Sequence, residues 1–132
     1  PAYINLADMY RSRGNEQSSQ QLLEDALTKV QEKASIYHSL GLSLVRSGQS
    51  KEALRYLAMA TSEPNATARF YYVHAIALHS NNEPEKALSV LEQAREQYPF
   101  DREILTALMS INHELGNQGK VDYYKNIMNH EP

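Results

Sequence analysis

One repeat interval constrains this chain more than any other feature. The 132-residue sequence aligns with itself at a spacing of 34 residues, and three successive copies agree. The matched positions keep one chemical character in every copy: Tyr3, Tyr37 and Tyr71; Ala7, Gly41 and Ala75; Tyr10, Leu44 and Leu78; Leu23, Leu57 and Leu91; Ala26, Ala60 and Ala94. A period of this length is typical of repeat proteins, in which each copy is one supersecondary unit that buries its apolar face against its neighbours.

A fourth copy begins at Asp101 and is degenerate. It keeps Leu105, Leu108 and Gly116 in register. At five other positions it departs from the earlier copies, with Met109, Asn112, Val121, Lys125 and Met128. Terminal repeats drift in this way because one of their faces meets water, so we interpret the copy as a cap. The sequence thus predicts a single domain over residues 1–132 with repeats at about 1–33, 34–67, 68–100 and 101–132.

Each copy has the pattern of two helices joined by a turn. Apolar residues follow helical spacing, as at Leu40 and Leu44, and no copy shows sustained strand alternation. Residues that accept a left-handed conformation interrupt each copy, at Gly14, Gly48, Asn82 and Gly116. Between copies, either Asn65 or Thr67 can cap one following helix and Asp101 can cap another, and Pro84 suits a first helical turn. We therefore predict eight helices, at about 2–13, 17–32, 34–47, 50–62, 67–80, 84–97, 102–115 and 119–129. The recurring small residues are expected where the two helices of a hairpin meet, with Ala7, Gly41 and Ala75 opposite Ala26, Ala60 and Ala94.

Composition narrows the functional classes. The chain has no Cys, which removes disulfides, thiolate metal sites and cysteine nucleophiles. A formal net charge of -3 gives no general attraction to nucleic acid or to anionic lipid. No run of 18 apolar residues occurs, so we expect a soluble protein without membrane insertion. The chain begins at Pro1 without Met, and we interpret it as an excised fragment or a processed chain.

The second copy carries most of a known family pattern, in Tyr37, Leu40, Gly41, Leu44, Ala53, Leu57 and Ala60. The chain resembles the tetratricopeptide repeat (TPR) family over essentially its whole length. It departs from the family by having His74 at a Leu position, and by having Pro at the end of a unit only at Pro99. The resemblance implies an all-α, right-handed α-solenoid of about four antiparallel hairpins, with the first helix of each hairpin lining a concave groove.

Helical geometry then indicates which side chains face that groove. The candidate partner-binding residues are Asp8, Arg11, His38, Leu42, Arg46, Arg69, Tyr72, Ile76, His79 and His113. With Ile4 and Val45 they mix an apolar strip with Arg and His, which suits a peptide held by apolar anchors and charge-assisted hydrogen bonds. Some family members clamp the C-terminal carboxylate of a chaperone with Lys and Asn, but Ile4 and Asp8 stand at those positions here, so we reject that ligand.

Chemistry beyond binding has little support in the sequence. None of the metalloprotease, phosphate-loop or nucleophile-elbow motifs occurs, and we predict no enzyme activity and no cofactor. The five His are not spaced three or four residues apart, so a metal site would have to be assembled from His38, His79 and His113, and we predict none. Nine Tyr raise the alternative of a nucleic-acid platform, but packing positions explain most of them, and we predict no nucleic-acid partner.

Two functional hypotheses remain. The first is a protein-interaction scaffold that binds a partner peptide or helix of unknown identity in the concave groove. The alternative is an auxiliary or assembly domain of a larger bacterial enzyme, envelope or cytochrome protein, with self-association into a homo-oligomer left open. The stretch around Tyr98-Pro99-Phe100 is similar to bacterial TPR proteins, some attached to periplasmic multihaem cytochromes, although CxxCH is absent. That similarity favours a bacterial parent, and the periplasm over the cytoplasm.

Overall fold

The described part of the chain is all α-helical. The computed structural model describes residues 2–12, 14–26 and 33–130, which contain eight helices and no strand. The helices are α1 (Ala2–Ser12), α2 (Glu16–Ala26), α3 (Ala34–Arg46), α4 (Ser50–Ser62), α5 (Ala68–Ser80), α6 (Pro84–Gln97), α7 (Arg102–Glu114) and α8 (Gln118–Asn129). For the described residues, the predicted and observed helix boundaries differ by at most one residue. The predicted continuation of the second helix over 27–32 lies outside the described residues.

The turns inside the hairpins have the backbone that the sequence predicts. Gly14, Gly48 and Gly116 have φ near +80° and Asn82 has φ of 62°, which is the left-handed region that Gly and Asn tolerate best. At the starts of α5 and α7, Thr67 and Asp101 accept backbone N–H bonds with their side-chain oxygens, at 3.3 and 3.0 Å. Asp101 is thus confirmed as an N-cap, and of the two candidates for α5 the cap is Thr67 and not Asn65.

The helices form two compact units, residues 1–66 with α1 to α4 and residues 67–132 with α5 to α8. Within unit 1, a core cluster joins three helices. Its buried members are Ala7, Leu23, Ala26, Ile36 and Leu40, and Tyr3, Ile4, Leu22 and Tyr56 pack against it. The first hairpin and the following helix α3 thus share one core, as stacked repeats require. The single domain over 1–132 stays a prediction.

Unit 2 repeats this arrangement. Helix α6 contacts both α5 and α7, α8 contacts α7, and the two first helices α5 and α7 also contact each other. The small residues predicted at the contact between the helices of a hairpin, Ala75 and Ala94, are both fully buried. Leu91 of α6 and Leu105 and Leu108 of α7 are buried as well.

Gly41 marks the closest approach in unit 1. A Cβ atom placed there would lie 2.5 Å from Leu57 Cδ2 and 2.7 Å from Leu57 Cγ, which is closer than carbon atoms can approach. The sequence placed Gly41 opposite Ala60, but the atoms nearest to it belong to Leu57 and to the Ala53 carbonyl. Leu57 of α4 therefore occupies the space that a side chain at position 41 of α3 would need.

The degenerate fourth repeat packs through a different residue from the others. Lys125 stands in register with Leu57 and Leu91, which are buried, yet Lys125 is exposed. The neighbouring Tyr124 is buried instead, at 2% exposure. Asn112 replaces the Leu of earlier repeats and is also buried, donating to the Leu108 carbonyl at 2.8 Å and accepting from Asn117 at 3.1 Å. These bonds satisfy the buried amide, which would otherwise destabilise the fold.

His74 is a polar residue in an apolar register position. It lies in α5 where α3 and α7 have the buried residues Leu40 and Leu108, and it is itself only 7% exposed. Burial lowers the pKa of the His74 imidazole from 6.5 to about 4, because a low-dielectric environment disfavours the charged form. This imidazole is therefore neutral in the folded protein near neutral pH.

In the ranges that the structure describes, no helix has both the length and the apolar character needed to cross a membrane.

We predict that Gly41→Ala destabilises unit 1 by about 1 kcal/mol, because overpacking against Leu57 exceeds the gain in helix propensity. Gly119→Ala is the matched control, since Gly119 also lies in a helix but has no atom within 4 Å of an added Cβ. That variant is expected to be neutral or more stable by up to about 1 kcal/mol. Urea unfolding followed by circular dichroism measures both, and equal effects of the two substitutions would contradict the steric account.

We predict that His74→Leu removes part of the acid sensitivity of the fold. Above pH 6.5 the imidazole is neutral in both states, whereas between pH 6.5 and about 4 the unfolded chain binds a proton that the folded chain refuses. Stability is therefore lost as the pH falls through that window, and between pH 7.5 and 5 this residue accounts for about 2 kcal/mol.

The measurement is the free energy of unfolding at pH 7.5 and pH 5 for the parent, for His74→Leu and for His113→Gln, which changes an exposed His. Only His74→Leu should reduce the difference between the two pH values. Parallel profiles for the parent and His74→Leu would show that His74 is not the origin of the sensitivity.

Candidate functional site

The predicted groove residues of unit 1 form two separate sets of contacts. On α1, the guanidinium of Arg11 pairs with the carboxylate of Asp8 at 3.1 Å. On α3, Arg46 Nε lies 3.2 Å from Glu16 Oε1, so this side chain is directed toward the start of α2. Glu16 also accepts a hydrogen bond from the Ser43 hydroxyl. Arg46 thus ties a first helix to the preceding second helix, in addition to its predicted role in binding.

The remaining unit 1 candidates are His38 and Leu42, and both are half-buried. Val45 is the more accessible apolar residue of α3, at 48% exposure. Ile4, which was expected in the apolar strip, packs against the core cluster of unit 1. The apolar residues Leu6 and Met9 of α1, which the sequence did not indicate, are each 39% exposed.

Unit 2 brings its predicted residues together across α5 and α7. Arg69 at the start of α5 pairs with Glu103 at the start of α7. At the other end of the same helices, His79 Nε2 lies 2.6 Å from Glu114 Oε2. The N-terminal ends of α5 and α7 therefore lie together, and so do their C-terminal ends. These two helices, the first helices of neighbouring hairpins, run parallel. We call the surface between them the α5/α7 trough.

The floor of the α5/α7 trough is apolar and small. It encloses a cavity of about 340 Å³ lined by Tyr72, Ile76, Arg102, Glu103, Thr106, Ala107 and Ser110. Ile76 is 37% exposed, and the Arg69 guanidinium lies 5.2 Å from the centre of the Tyr72 ring. Thr106 and Ser110 on the α7 side are exposed and short, which leaves the space above Tyr72 and Ile76 open. Such a surface can take an apolar side chain between polar margins.

Helix α7 carries two further polar residues, His113 and Arg102, near its two ends. His113 is exposed near the end of α7 but does not line the cavity. Arg102 lines the cavity and was missed by the sequence analysis, which followed helical periodicity and passed over the first residue of a helix. The sequence does contain an indication of Arg102, because a cation at a helix N-terminus is electrostatically unfavourable and such a charge suggests a function.

A second, larger cavity of unit 2 is lined mainly by α6 and α8. It measures about 620 Å³, and its lining includes Glu85, Glu92, Glu96, Lys120 and Tyr124. Glu92 accepts a hydrogen bond from the Tyr124 hydroxyl and pairs with Arg95 at 3.1 Å. Burial, followed by the hydrogen bond to Glu92, raises the pKa of the Tyr124 hydroxyl. These contacts hold α8 against α6, so we assign them a packing role.

Among residues 2–12, 14–26 and 33–130, no group of three His, Asp or Glu side chains could hold a metal ion. The three His considered for such a site are divided between the units, with His38 in unit 1 and His79 and His113 in unit 2.

Comparison with known proteins gives a family match and several similar structures. Residues 1–112 match the family described as the TT21 fifth ARM repeats domain. No curated protein matches the sequence. Among solved structures, MamA has a TM-score of 0.78 at 18% identity, covering 92% of this chain and 71% of that chain.

Two further structures are described in terms of TPR repeats. YrrB, described as a TPR protein with an unusual peptide-binding site, has a TM-score of 0.72 at 22% identity, covering 98% of this chain and 69% of that chain. A kinesin light chain from Podosopora anserina with nearly identical TPR-like repeats has a TM-score of 0.63 at 20% identity, covering 93% of this chain and 68% of that chain. At these identities the likeness shows the fold alone.

These matches confirm the all-α helical-repeat fold and the resemblance to TPR proteins that the 34-residue register indicates. A bacterial origin and a periplasmic location stay predictions. Because the family match covers most of the chain and begins at its first residue, this helical-repeat chain belongs to the TT21 fifth ARM repeats domain family.

Proposed function

We propose that this chain is a protein-interaction scaffold that binds a partner peptide along its first helices, with the α5/α7 trough as the principal site. The observation that carries the proposal is the partly exposed apolar floor formed by Tyr72 and Ile76, beside the short side chains of Thr106 and Ser110. An apolar residue that stays partly in water gains free energy when a ligand covers it. Tyr is also among the residues that most often dominate binding energy.

The ion pairs at the margins of the trough support the same proposal. Arg69 and Glu103 have side chains that are 60% and 47% exposed, and pairs of that kind contribute only about 0 to 1 kcal/mol to stability. Such a weak pair can exchange its partner for a ligand group at little cost to the fold. Arg69 is placed to bind a ligand carboxylate, and its guanidinium geometry allows two hydrogen bonds to it.

Unit 1 contributes a secondary surface in this proposal. On this surface, helix α3 carries Leu42, Val45 and His38. Arg46 of the same helix pairs with Glu16 and is therefore less available to a ligand. The proposed role is non-catalytic throughout, because the charged groups on both surfaces serve to hold a ligand and not to transform it. The peptide-binding site named for YrrB supports a binding role by analogy of fold.

A second candidate follows from the family description, which names a fifth repeats domain. A domain counted in that way belongs to a protein with other repeat domains, so the chain can serve as an auxiliary or assembly segment that touches the rest of its own protein. Sequencing the parent gene distinguishes the candidates. Flanking enzyme, haem or transmembrane motifs would favour the auxiliary role, whereas a gene encoding these repeats alone would favour a free-standing adaptor.

We predict that Tyr72→Ala weakens binding of a peptide selected on this chain from a displayed library of random dodecapeptides by about thirtyfold, or about 2 kcal/mol. Fluorescence anisotropy measures the dissociation constant. Tyr123→Ala is the matched control, because Tyr123 is 52% exposed on α8 of the same unit but does not line the trough. Equal losses in the two variants, or none in Tyr72→Ala, would contradict the proposed site.

A further inference from the structure

Helix α1 exposes two apolar side chains at register positions that are buried on α3 and α7. Leu6 and Met9 are each 39% exposed, and we call the surface that they form the α1 face. Their counterparts in the 34-residue register have exposures of 3% or less: Leu40 and Ser43 on α3, and Leu108 and Ile111 on α7. The same positions are therefore buried on later first helices and accessible to solvent on α1.

In each unit, a second helix packs on the first helix that follows it. Helix α2 contacts α3, and α6 contacts α7. In unit 1, Leu23 of α2 joins Leu40 in one buried cluster. The side-chain amide of Gln20 donates a hydrogen bond to the Ser43 hydroxyl at 3.1 Å. Positions 20 and 23 of a second helix thus lie over positions 43 and 40 of the next first helix.

The residue at position 43 matches the helix that covers it in polarity. Ser43 is polar, and the residue that bonds to it from α2 is the polar Gln20. In unit 2 the corresponding residue is Ile111, and α6 has Leu88 in register with Gln20. Since α1 has Met9 at this position, a helix that covers the α1 face without burying an unsatisfied polar group presents an apolar residue there.

A second copy of this chain does not supply such a helix. Its last second helix, α8, has the exposed Asp122 in register with Gln20 and Leu88. Placing Asp122 over Met9 would remove a carboxylate from water without giving it a partner, which is strongly unfavourable.

Contact between the α1 faces of two copies is also a poor candidate. Among the described side chains of α1, only Leu6 and Met9 are exposed large apolar residues. Stable interfaces between separate proteins use about 20 to 30 residues a side. A hairpin on the same polypeptide needs far less area, because a short connection holds it close to its site at a high effective concentration. Helices α6 and α7, for example, are joined by residues 98–101 alone.

We propose that the α1 face is the docking surface for the second helix of a further helical hairpin, which precedes Pro1 in the parent protein and has apolar residues over Leu6 and Met9. The contact has the geometry of α2 on α3, with an apolar residue in place of Gln20. This inference rests on the second candidate function, in which the chain contacts the rest of its own protein. It does not depend on the α5/α7 trough.

The test adds a hairpin to the chain at the proposed place. A copy of residues 67–102, which contains α5 and α6, is joined directly before Pro1, so that the 34-residue register continues into α1. The copies of Leu88 and Leu91 then have the register positions that lie over the α1 face. A control extension carries Leu88→Asp and Leu91→Lys in the added copy, because Asp and Lys are the residues that α8 has at these positions.

The measurement is the rate at which hydrogen peroxide oxidises the Met9 thioether to the sulfoxide, followed by mass spectrometry. Oxidation of this kind depends on exposure to solvent. We expect Met9 to react about tenfold more slowly in the extended chain than in the parent chain, and at the parent rate in the control extension. Met128 of α8 is the internal reference, and its rate should be the same in all three proteins.

Substitutions in unit 1 locate the contact. In the extended chain, Leu6→Gln should return the Met9 rate to within about twofold of the parent rate, because it places a polar amide under an apolar helix. Val45→Gln makes the same kind of change at an exposed residue of α3 and should leave Met9 protected. In the parent chain, Leu6→Gln should not change the Met9 rate, which separates loss of docking from unfolding of α1.

Three results would overturn the inference. The first is equal oxidation of Met9 in the parent and extended chains, or equal protection by the control extension. The second is an added hairpin that circular dichroism shows to be unfolded, because a repeat of this kind folds through its contact with a neighbour. The third is protection of Met9 in the parent chain that increases with protein concentration, which would identify a second copy as the occupant.

These outcomes are distinguishable from failure of the proposed functions. Peptide binding to the α5/α7 trough is tested by Tyr72→Ala, which does not involve α1. The auxiliary role is tested by the sequence of the parent gene. A parent protein with further repeats whose hairpin leaves Met9 reactive would therefore refute the docking surface alone.

Discussion

The close approach of the two helices in each hairpin is the constraint on which the rest of the structure depends. At Gly41 the absence of a side chain lets Leu57 fill the space against the α3 backbone. Ala7 and Ala75 occupy the same register position and are equally buried. Because these small residues recur every 34 residues, successive hairpins have similar shapes, and similar shapes can stack on one another. The exposed surface of the first helices is a product of that stacking.

A regular scaffold of this kind separates the residues that maintain the fold from the residues that are available for binding. In α5, Tyr71, Ala75 and Leu78 are buried, whereas Tyr72 and Ile76 lie on the α5/α7 trough. A substitution at the trough can change which ligand binds without changing the packing of the core. This separation explains why one architecture serves many partners, and why the fold alone does not identify the partner.

The sequence predicted the helices well because turn residues and apolar spacing are local features. Gly14, Gly48, Asn82 and Gly116 all have the left-handed backbone that their chemistry favours, and Thr67 and Asp101 cap their helices. The site was less predictable, because it depends on contacts between repeats. Nothing within one repeat indicates that Arg46 pairs with Glu16, thirty residues earlier, or that Arg69 pairs with Glu103, one repeat later.

Lys125 has a consequence for assembly. In unit 1, Leu23 of α2 joins Ile36 and Leu40 of α3 in one cluster, so the hairpin that follows covers this position. On α8 the same register position is Lys125, and a further hairpin laid over it would remove an ammonium group from water, which costs several kcal/mol without a paired anion. Any surface that covers this position of α8 must therefore supply an anion to Lys125, which an apolar helix face cannot do.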